Sequence, residues 1–251
     1  MIDLDLSGKR AVLTGASLGI GAAAVRALAD QGAYVSFCSR SPDNVAALAD
    51  YRPPSGDGRV QGFSADMADR RSVDGFLDAV QAEGPVDILV NNVGASPSRN
   101  FLYMSDEDWL SLFELNLMSA VRCTRRLLPA MRERKWGRVV MVSSGAALYP
   151  NPALIDYSAS KAAMISIGKS LARKYGADNV LVNSVLPGLI HTPCGSGRRA
   201  RWRPRTEPLS TRSSPTTPDP SRSGATEPLK RSPPSSCSCA RARPPTSTAR
   251  R

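Results

Sequence analysis

Short apolar runs alternate with segments of helical length from the N-terminus of this 251-residue chain to about residue 193. Apolar runs separated by amphipathic helices are typical of strands that are buried on both faces of a parallel sheet. Helical segments include residues 22–31 and 106–132, and the six apolar runs are 11–13, 35–37, 60–63, 88–90, 139–142 and 180–185. The pattern predicts an α/β fold, a single-domain doubly wound parallel sheet of Rossmann type over residues 1–193.

The net charge of +11 belongs almost entirely to the end of the chain. Residues 194–251 hold 13 of the 33 basic and 3 of the 22 acidic side chains, a balance of +10, so residues 1–193 carry only +1. A basic surface can bind nucleic acid, but the part of the sequence with a fold pattern is neutral. We therefore expect no nucleic-acid partner, the alternative being an adaptor that binds through its Arg-rich end.

Other features of the composition narrow the class of protein. No stretch approaches the roughly 20 apolar residues of a membrane helix, and the N-terminus lacks a signal-peptide pattern. The five cysteines are scattered and odd in number, which argues against a disulfide framework, and His191 is the single histidine. We expect a cytoplasmic protein without a membrane partner or a bound metal.

A glycine-rich turn, residues 14–21, follows the first predicted strand and opens the first predicted helix. Gly15 permits a tight turn, Gly19 lets the backbone approach a pyrophosphate, and Gly21 allows close packing of the helix. The first N–H groups of the helix would face the phosphates. Glycine turns also serve structural roles, but the order of strand, turn and helix favours nucleotide binding. The predicted cofactor contacts in this turn are Thr14, Gly15, Ser17, Leu18, Gly19, Ile20 and Gly21.

The second apolar run ends at Ser39 and Arg40, where the adenosine ribose of a dinucleotide would lie. An acidic residue there would accept hydrogen bonds from the ribose, whereas Arg40 can pair with a 2′-phosphate. The sequence therefore predicts that NADP(H) is favoured over NAD(H), with a solvated surface arginine as the alternative; Leu18 supplies no second basic group. Asp66, followed by Met67, could meet the adenine amino group or begin a helix as its N-cap.

Tyr157 and Lys161 are four residues apart, which places them on one face of a helix. A free tyrosine ionises near pH 10, and a neighbouring ammonium lowers that pKa, so the pair can act as an acid and base near neutrality. Such a pair is common by chance. The pair becomes more specific in combination with Ser144, which lies 13 positions upstream of Tyr157 at the end of the fifth run. The hydroxyl of Ser144 could hold a substrate oxygen.

These motifs together resemble the short-chain dehydrogenase/reductase family. The family's Asn-Asn-Ala-Gly segment matches residues 91–94, with Val93 in place of alanine, and its helix asparagine matches Asn116. Its Pro-Gly pair after the sixth strand matches Pro187 and Gly188, and Thr192 follows at the usual spacing. The glycine turn and the Ser, Tyr and Lys match as well, so the resemblance runs from residue 1 to about 193.

The resemblance implies an oxidoreductase that moves a hydride between a nicotinamide cofactor and a small alcohol or carbonyl compound, and that forms a homo-oligomer. Tyr157 would be the acid/base, Ser144 would orient the substrate oxygen, and Lys161 would lower the tyrosine pKa and bind the cofactor ribose. Asn116 would hold a water that links Lys161 to solvent. Further cofactor contacts are implied for Asn92, Val93, Gly94, Pro187, Gly188, Ile190 and Thr192.

Residues 194–251 are dominated by Arg, Pro, Ser and Thr, which predicts a disordered basic tail. If the reading frame is moved back by one base, residues 227–246 can read GAAEEVAAVVVFLCARAASY, and residues 247–249 allow VNG. An apolar helix that begins Glu-Glu-Val and leads to Tyr-Val-Asn-Gly is typical of the family's last helix and seventh strand. We therefore predict an out-of-frame translation of that ending. Without the family's substrate-covering segment, a nucleotide-binding protein without turnover is the alternative function.

Overall fold

The computed structural model describes residues 5–16, 18–54 and 57–190. The chain divides into two units, Met1–Arg201 and Trp202–Arg251. All described residues belong to the first unit. The predicted tail and the predicted cofactor residues Ser17 and Thr192 lie outside the described residues.

Six parallel strands form one sheet in the described part of the chain, in the order β3-β2-β1-β4-β5-β6. This arrangement confirms the doubly wound parallel sheet, and every predicted apolar run lies within a strand. The strand order reverses between β1 and β4, and ligands of such sheets bind outside the carboxyl ends of the strands at that point. The strands are β1 Arg10–Thr14, β2 Tyr34–Ser39, β3 Arg59–Ser64, β4 Ile88–Asn91, β5 Gly137–Val142 and β6 Val180–Val185.

Helices connect the strands, and several begin at a side-chain cap. Ser41 caps α2, Asp69 caps α3, and Ser105 forms a capping box with Asp108 on α4. Within the described ranges, no helix is both long and apolar enough to cross a membrane. The helices are α1 Gly19–Asp30, α2 Pro42–Ala49, α3 Arg70–Ala82, α4 Asp106–Phe113, α5 Ser119–Glu133 and α6 Ile155–Tyr175, with short 3-10 turns at Phe101–Tyr103, Gly145–Ala147 and Gly176–Asp178.

Successive side chains of the strands enter two different cores. On β1, Val12 packs in the core beneath α3 and α5, whereas Ala11 and Leu13 pack in the core beneath α1 and α2. This alternation follows from the two-residue period of a strand. Full burial of a side chain such as Leu13 contributes about 1.5–3 kcal/mol, so both faces stabilise the sheet.

Strand β6 is buried on one face only within the described residues. Val180 and Val182 lie in the core that also contains Met164 of α6. Leu181 and Val185 point to the other face and are 43% and 50% exposed. The last strand of the described sheet therefore presents two exposed apolar side chains on this face, with the exposed Asn183 between them.

Candidate active site

A cleft of about 410 Å³ lies at the carboxyl ends of the central strands, beside the start of α1. Its position is the strand-order reversal described above. The predicted cofactor residues that line it are Gly15, Leu18, Gly19, Ile20, Gly21, Ser39, Arg40, Met67, Asn92, Val93 and Gly94. The lining residues that sequence reasoning missed are Ser41, Asn44, Ala65, Ala95 and Leu115.

The glycine turn has a backbone that only glycine fits well. Gly15 and Gly19 adopt φ values of +63° and +56°, in the left-handed region that favours glycine. A Cβ at Gly15 would lie 2.8 Å from Cγ2 of Val93, and one at Gly21 would lie 2.8 Å from the carbonyl oxygen of Gly15. The helix that follows has no side-chain cap from Leu18 and no acidic residue in its first turn. Such a helix start fits an anionic group such as a pyrophosphate.

Thr14 and Asn92 tie β1 to the chain that leaves β4 beneath this turn. The hydroxyl of Thr14 is buried, accepts the N–H of Asn92 at 3.1 Å and donates to the carbonyl oxygen of Val90 at 3.5 Å. The side-chain amide of Asn92 donates to the carbonyl oxygens of Thr14 and Gly15, at 3.2 and 2.7 Å. Thr14 thus holds the turn from below, while Asn92 also lines the cleft.

At the far end of the cleft, Arg40 is exposed directly after β2. The hydroxyl of Ser41 accepts the N–H of Asn44 at 3.4 Å and so caps α2, whose first residue is Pro42. Arg40 and Ser41 both line this end of the cleft at the N-terminus of α2, and Asp43 lies in the first turn of that helix. Ser41 followed by Pro42 is a sequence pattern typical of a helix start, so the sequence alone could have indicated this one.

Asp66 does not cap the third helix. Its carboxylate accepts the N–H of Ala68 at 3.0 Å, and its own N–H donates to the hydroxyl of Ser72 at 2.8 Å. The N-cap of α3 is Asp69, whose carboxylate accepts the N–H groups of Arg71 and Ser72. The N-cap interpretation of Asp66 is therefore wrong, because Asp69 occupies that position.

Asn116 lies in a π-helical turn, Glu114–Met118, that joins α4 to α5. The sequence predicts one regular helix over 106–132; the helical path is continuous, but this wider turn interrupts its hydrogen-bond pattern. Asn116 is fully buried. Its Oδ1 accepts the N–H of Ala95 at 2.8 Å, and its Nδ2 donates to the carbonyl oxygen of Ala95 at 3.0 Å and to the hydroxyl of Ser160 at 3.1 Å. It thereby joins the wall of the cleft to α6.

Lys161 reaches the cleft from α6. A Cβ at Gly94 would lie 3.1 Å from Nζ of Lys161, a tight contact that would require the ammonium to shift. The ammonium donates to the carbonyl oxygens of Val142 and Val93, at 2.9 and 3.3 Å. Lys161 is 3% exposed, and this burial lowers its pKa from 10.5 to about 8 because the charged form loses its hydration.

Ser144 and Tyr157 belong to two segments that pack against each other. Ser144 lies two residues beyond β5, and its hydroxyl accepts the N–H of Ala146 at 3.1 Å at the start of a 3-10 turn. That turn packs on α6, whose third residue is Tyr157. The N–H of Gly145 donates to the carbonyl oxygen of Pro187 at 3.0 Å, which brings the segment after β6 beside Ser144. Ile190, further along that segment, is 55% exposed.

A model of the short chain dehydrogenase family matches residues 9–202 of this chain. The 3-oxoacyl-(acyl-carrier-protein) reductase of Escherichia coli (strain K12) is 36% identical over 190 residues, which are 75% of this chain and 76% of that protein. The family match includes the cleft and the α6 segment described above.

Solved structures share the fold. L-Sorbose reductase from Gluconobacter frateurii, complexed with NADPH and L-sorbose, superposes with a TM-score of 0.73 and 36% identity over 77% of this chain and 74% of that one. A 3-oxoacyl-(acyl-carrier protein) reductase from Brucella melitensis with bound NAD gives 0.70 and 30%, over 75% and 74%. Proteins similar to this chain thus bind one or the other nicotinamide cofactor.

The lowered pKa of Lys161 predicts a specific pH dependence of stability. Between about pH 8 and 10.5 the folded protein has released the Lys161 proton while the unfolded chain still holds it, so the free energy of unfolding rises with pH in that window. The rise attributable to Lys161 is about 3 kcal/mol. We expect Lys161→Met to lack it, as measured by urea unfolding of both proteins without cofactor from pH 7 to 10.5. Parallel pH profiles for the two proteins would contradict the lowered pKa.

Proposed function

This chain belongs to the short-chain dehydrogenase family of oxidoreductases, and from that membership we propose that it interconverts an alcohol and a ketone or aldehyde with NAD(P)(H). The observation that carries the proposal is the meeting of two features at Gly94. A glycine-lined cleft suited to a dinucleotide ends there, and the buried Lys161 ammonium of the Tyr157 helix lies against it. The small-molecule substrate would bind beside Ser144.

The cleft fits a nicotinamide dinucleotide on its own geometry. The Gly15–Gly21 turn and the uncapped start of α1 would hold the pyrophosphate, and Met67 and Asp66 would lie toward the adenine. Asn92, Val93 and Gly94 would line the nicotinamide half, with Pro187, Gly188 and Ile190 contributing from the segment after β6. When bound, the cofactor supplies the hydride for carbonyl reduction or accepts it in alcohol oxidation.

Tyr157 would donate its phenolic proton to the substrate oxygen during reduction and take a proton from the hydroxyl during oxidation. The hydroxyl of Ser144 would hold the same oxygen. The Lys161 ammonium stabilises negative charge that develops on the phenol, and its confinement between two carbonyl groups fixes its position. Asn116 would keep Ala95 and Ser160 in place beside Lys161 and hold the water that returns protons from solvent.

The preference for NADP(H) rests on Arg40. Arg40 is exposed and lines the same end of the cleft as Ser41, which caps α2, so its guanidinium would be able to pair with a phosphate monoester there. The similar L-sorbose reductase was solved with NADPH and the similar Brucella reductase with NAD. The shared fold alone therefore does not determine whether NADP(H) or NAD(H) is preferred.

The segment after residue 193 is best explained by a shifted reading frame. An apolar helix and a neighbouring strand would cover the exposed Leu181 and Val185 on β6, and the frame moved back by one base supplies both. Alignment with the Escherichia coli reductase spans 190 residues, close to the length that precedes the shift. The corrected chain would be a cytoplasmic homo-oligomer. If the segment is read correctly, nucleotide binding without turnover is the second candidate function.

The proposed proton transfer predicts that Tyr157→Phe loses turnover but keeps the cofactor. We expect NADPH oxidation with at least one of L-sorbose, ethyl acetoacetate or 2,3-butanedione, and a fall of about 10²–10⁴-fold in kcat in the variant, because general acid catalysis is lost. The Kd for NADPH, followed by its fluorescence, should change by less than about threefold. The measurement is made in the 251-residue chain and in the frame-corrected chain. Retention of most turnover by Tyr157→Phe would defeat the assignment.

The role of Arg40 predicts tighter binding of NADPH than of NADH. A charge-assisted hydrogen bond contributes about 1.5–3 kcal/mol, which is roughly tenfold or more in affinity. Arg40→Asp should flatten or reverse the ratio of the two Kd values. Arg52→Asp, the same change on an exposed arginine after α2, is the control and should leave the ratio intact. Equal affinities in the parent protein would mean that Arg40 is a solvated surface charge.

The frame proposal predicts a single-base insertion or deletion near codon 193, which resequencing of codons 185–200 would reveal. The frame-corrected protein should unfold at a higher temperature than the 251-residue chain and elute as a homo-oligomer, because Leu181 and Val185 would become buried. An unaltered gene sequence, together with full turnover by the 251-residue chain, would overturn the proposal.

A further inference from the structure

The helix that carries Tyr157 starts without a cap. Leu154, the N-cap residue of α6, provides no side-chain hydrogen bond, in contrast to Ser41, Asp69 and Ser105 on three other helices. The first N–H groups of a helix have no partner within the helix, and this turn is the one that frays. Tyr157 is the third residue of α6, so it lies on the turn that the helix itself holds least firmly.

A buried carboxylate takes the place of the missing cap. Asp156, in the first turn of α6, is 0% exposed, and its Oδ1 accepts the N–H of Tyr157 at 2.8 Å. Its Oδ2 accepts from Nη1 of Arg99 at 3.1 Å. A carboxylate so far from water is tolerated only when it is paired and hydrogen-bonded, so Asp156 depends on Arg99.

The Arg99 guanidinium binds Asp108 as well as Asp156. Its Nη2 lies 3.3 Å from Oδ1 of Asp108, and its Nη1 also donates to the Asp108 carbonyl oxygen at 3.2 Å. The main-chain N–H of Arg99 donates to the carbonyl oxygen of Ala153 at 3.2 Å, in the loop that enters α6. The planar donors of arginine suit such a junction, which joins the first turns of α4 and α6.

Arg99 also connects these turns to the cofactor wall. It lies four residues beyond Ala95, which lines the cleft and is held on both main-chain atoms by Asn116. The chain from Ala95 to Arg99 is therefore fixed at one end by Asn116 and at the other by the two carboxylates. This segment forms the link between the cleft and the Tyr157 turn.

We propose that Arg99 and Asp156 are positioning residues that hold the first turn of α6, and with it the Tyr157 phenol, at a fixed place relative to the cofactor wall. This inference rests on the proposed oxidoreductase function. Lys161 lies one turn deeper and is held independently by the carbonyl groups of Val93 and Val142. Loss of the pair would therefore move Tyr157 away from Lys161 and impair proton transfer, while the glycine turn that binds the cofactor stays intact.

The test compares kcat with cofactor affinity in both the 251-residue and the frame-corrected chain, using NADPH and whichever of the three carbonyl probes is reduced. We expect Arg99→Met to lower kcat by about tenfold to a hundredfold, because small displacements of a reacting group have effects of this size, with the KM and Kd for NADPH within twofold of the parent. Arg99→Lys should recover part of the loss, since it can still pair with Asp156. Arg126→Met, which breaks the exposed pair with Asp78, is the matched control and should stay within twofold.

The double variant Arg99→Met/Asp156→Asn separates positioning from simple loss of packing. We expect it to turn over faster than Arg99→Met alone, because no buried carboxylate is left stranded and the oxygen of the new side-chain amide can still accept the Tyr157 N–H. If Arg99→Met fails to fold, Asp156→Asn and Arg99→Lys carry the test. A kcat within twofold of the parent in Arg99→Met, or in Asp156→Asn where Arg99→Met does not fold, would overturn the inference, as would an equal loss in NADPH affinity. Retained turnover in Tyr157→Phe would instead overturn the proposed function.

Discussion

The buried ammonium of Lys161 is the point on which the site depends. Its hydrogen-bond partners among the described residues are the carbonyl oxygens of Val93 and Val142 and the sulfur of Met164, so a full positive charge is held without a carboxylate. The cost of removing it from water is visible in its pKa of about 8. Main-chain dipoles at the ends of β4 and β5 offset part of that cost, and these contacts hold α6 across the two strand ends.

The position of the Lys161 ammonium explains the identity of several residues around it. At Gly94 a Cβ would lie 3.1 Å from the ammonium, so a side chain there would press on Lys161. Asn116 fixes the adjacent Ala95 through both its N–H and its carbonyl, and reaches Ser160 on the helix one residue before Lys161. A π-helical turn is wider than a regular α-helical turn, so it changes the directions in which the side chains point. Asn116 makes its three hydrogen bonds from this turn.

Sequence patterns predicted the parts of this structure that are determined locally. Buried parallel strands appear in the sequence as apolar runs, the glycine turn follows β1 directly, and Tyr157 and Lys161 are related by one helical turn. Contacts between distant segments left no such signal, and Arg99 and Asp156 are 57 residues apart in the chain. The sequence is also ambiguous about the N-cap of α3, because Asp66 and Asp69 both precede this helix. The backbone of the folded protein places Asp69 at the N-cap. The roles of the site residues remain predictions.

The two ends of the cleft are formed by different chemical groups, so cofactor binding would be able to persist where substrate turnover is lost. At the proposed phosphate end, the start of α1 and the backbone of Gly15 and Gly19, with φ near +60°, would hold the cofactor. At the reactive end, charged and polar side chains must be held in register by partners on other elements. On the proposed function, changes that loosen α6 would therefore impair proton transfer and leave nucleotide binding intact. An enzyme and a nucleotide-binding protein without turnover would share the same cleft.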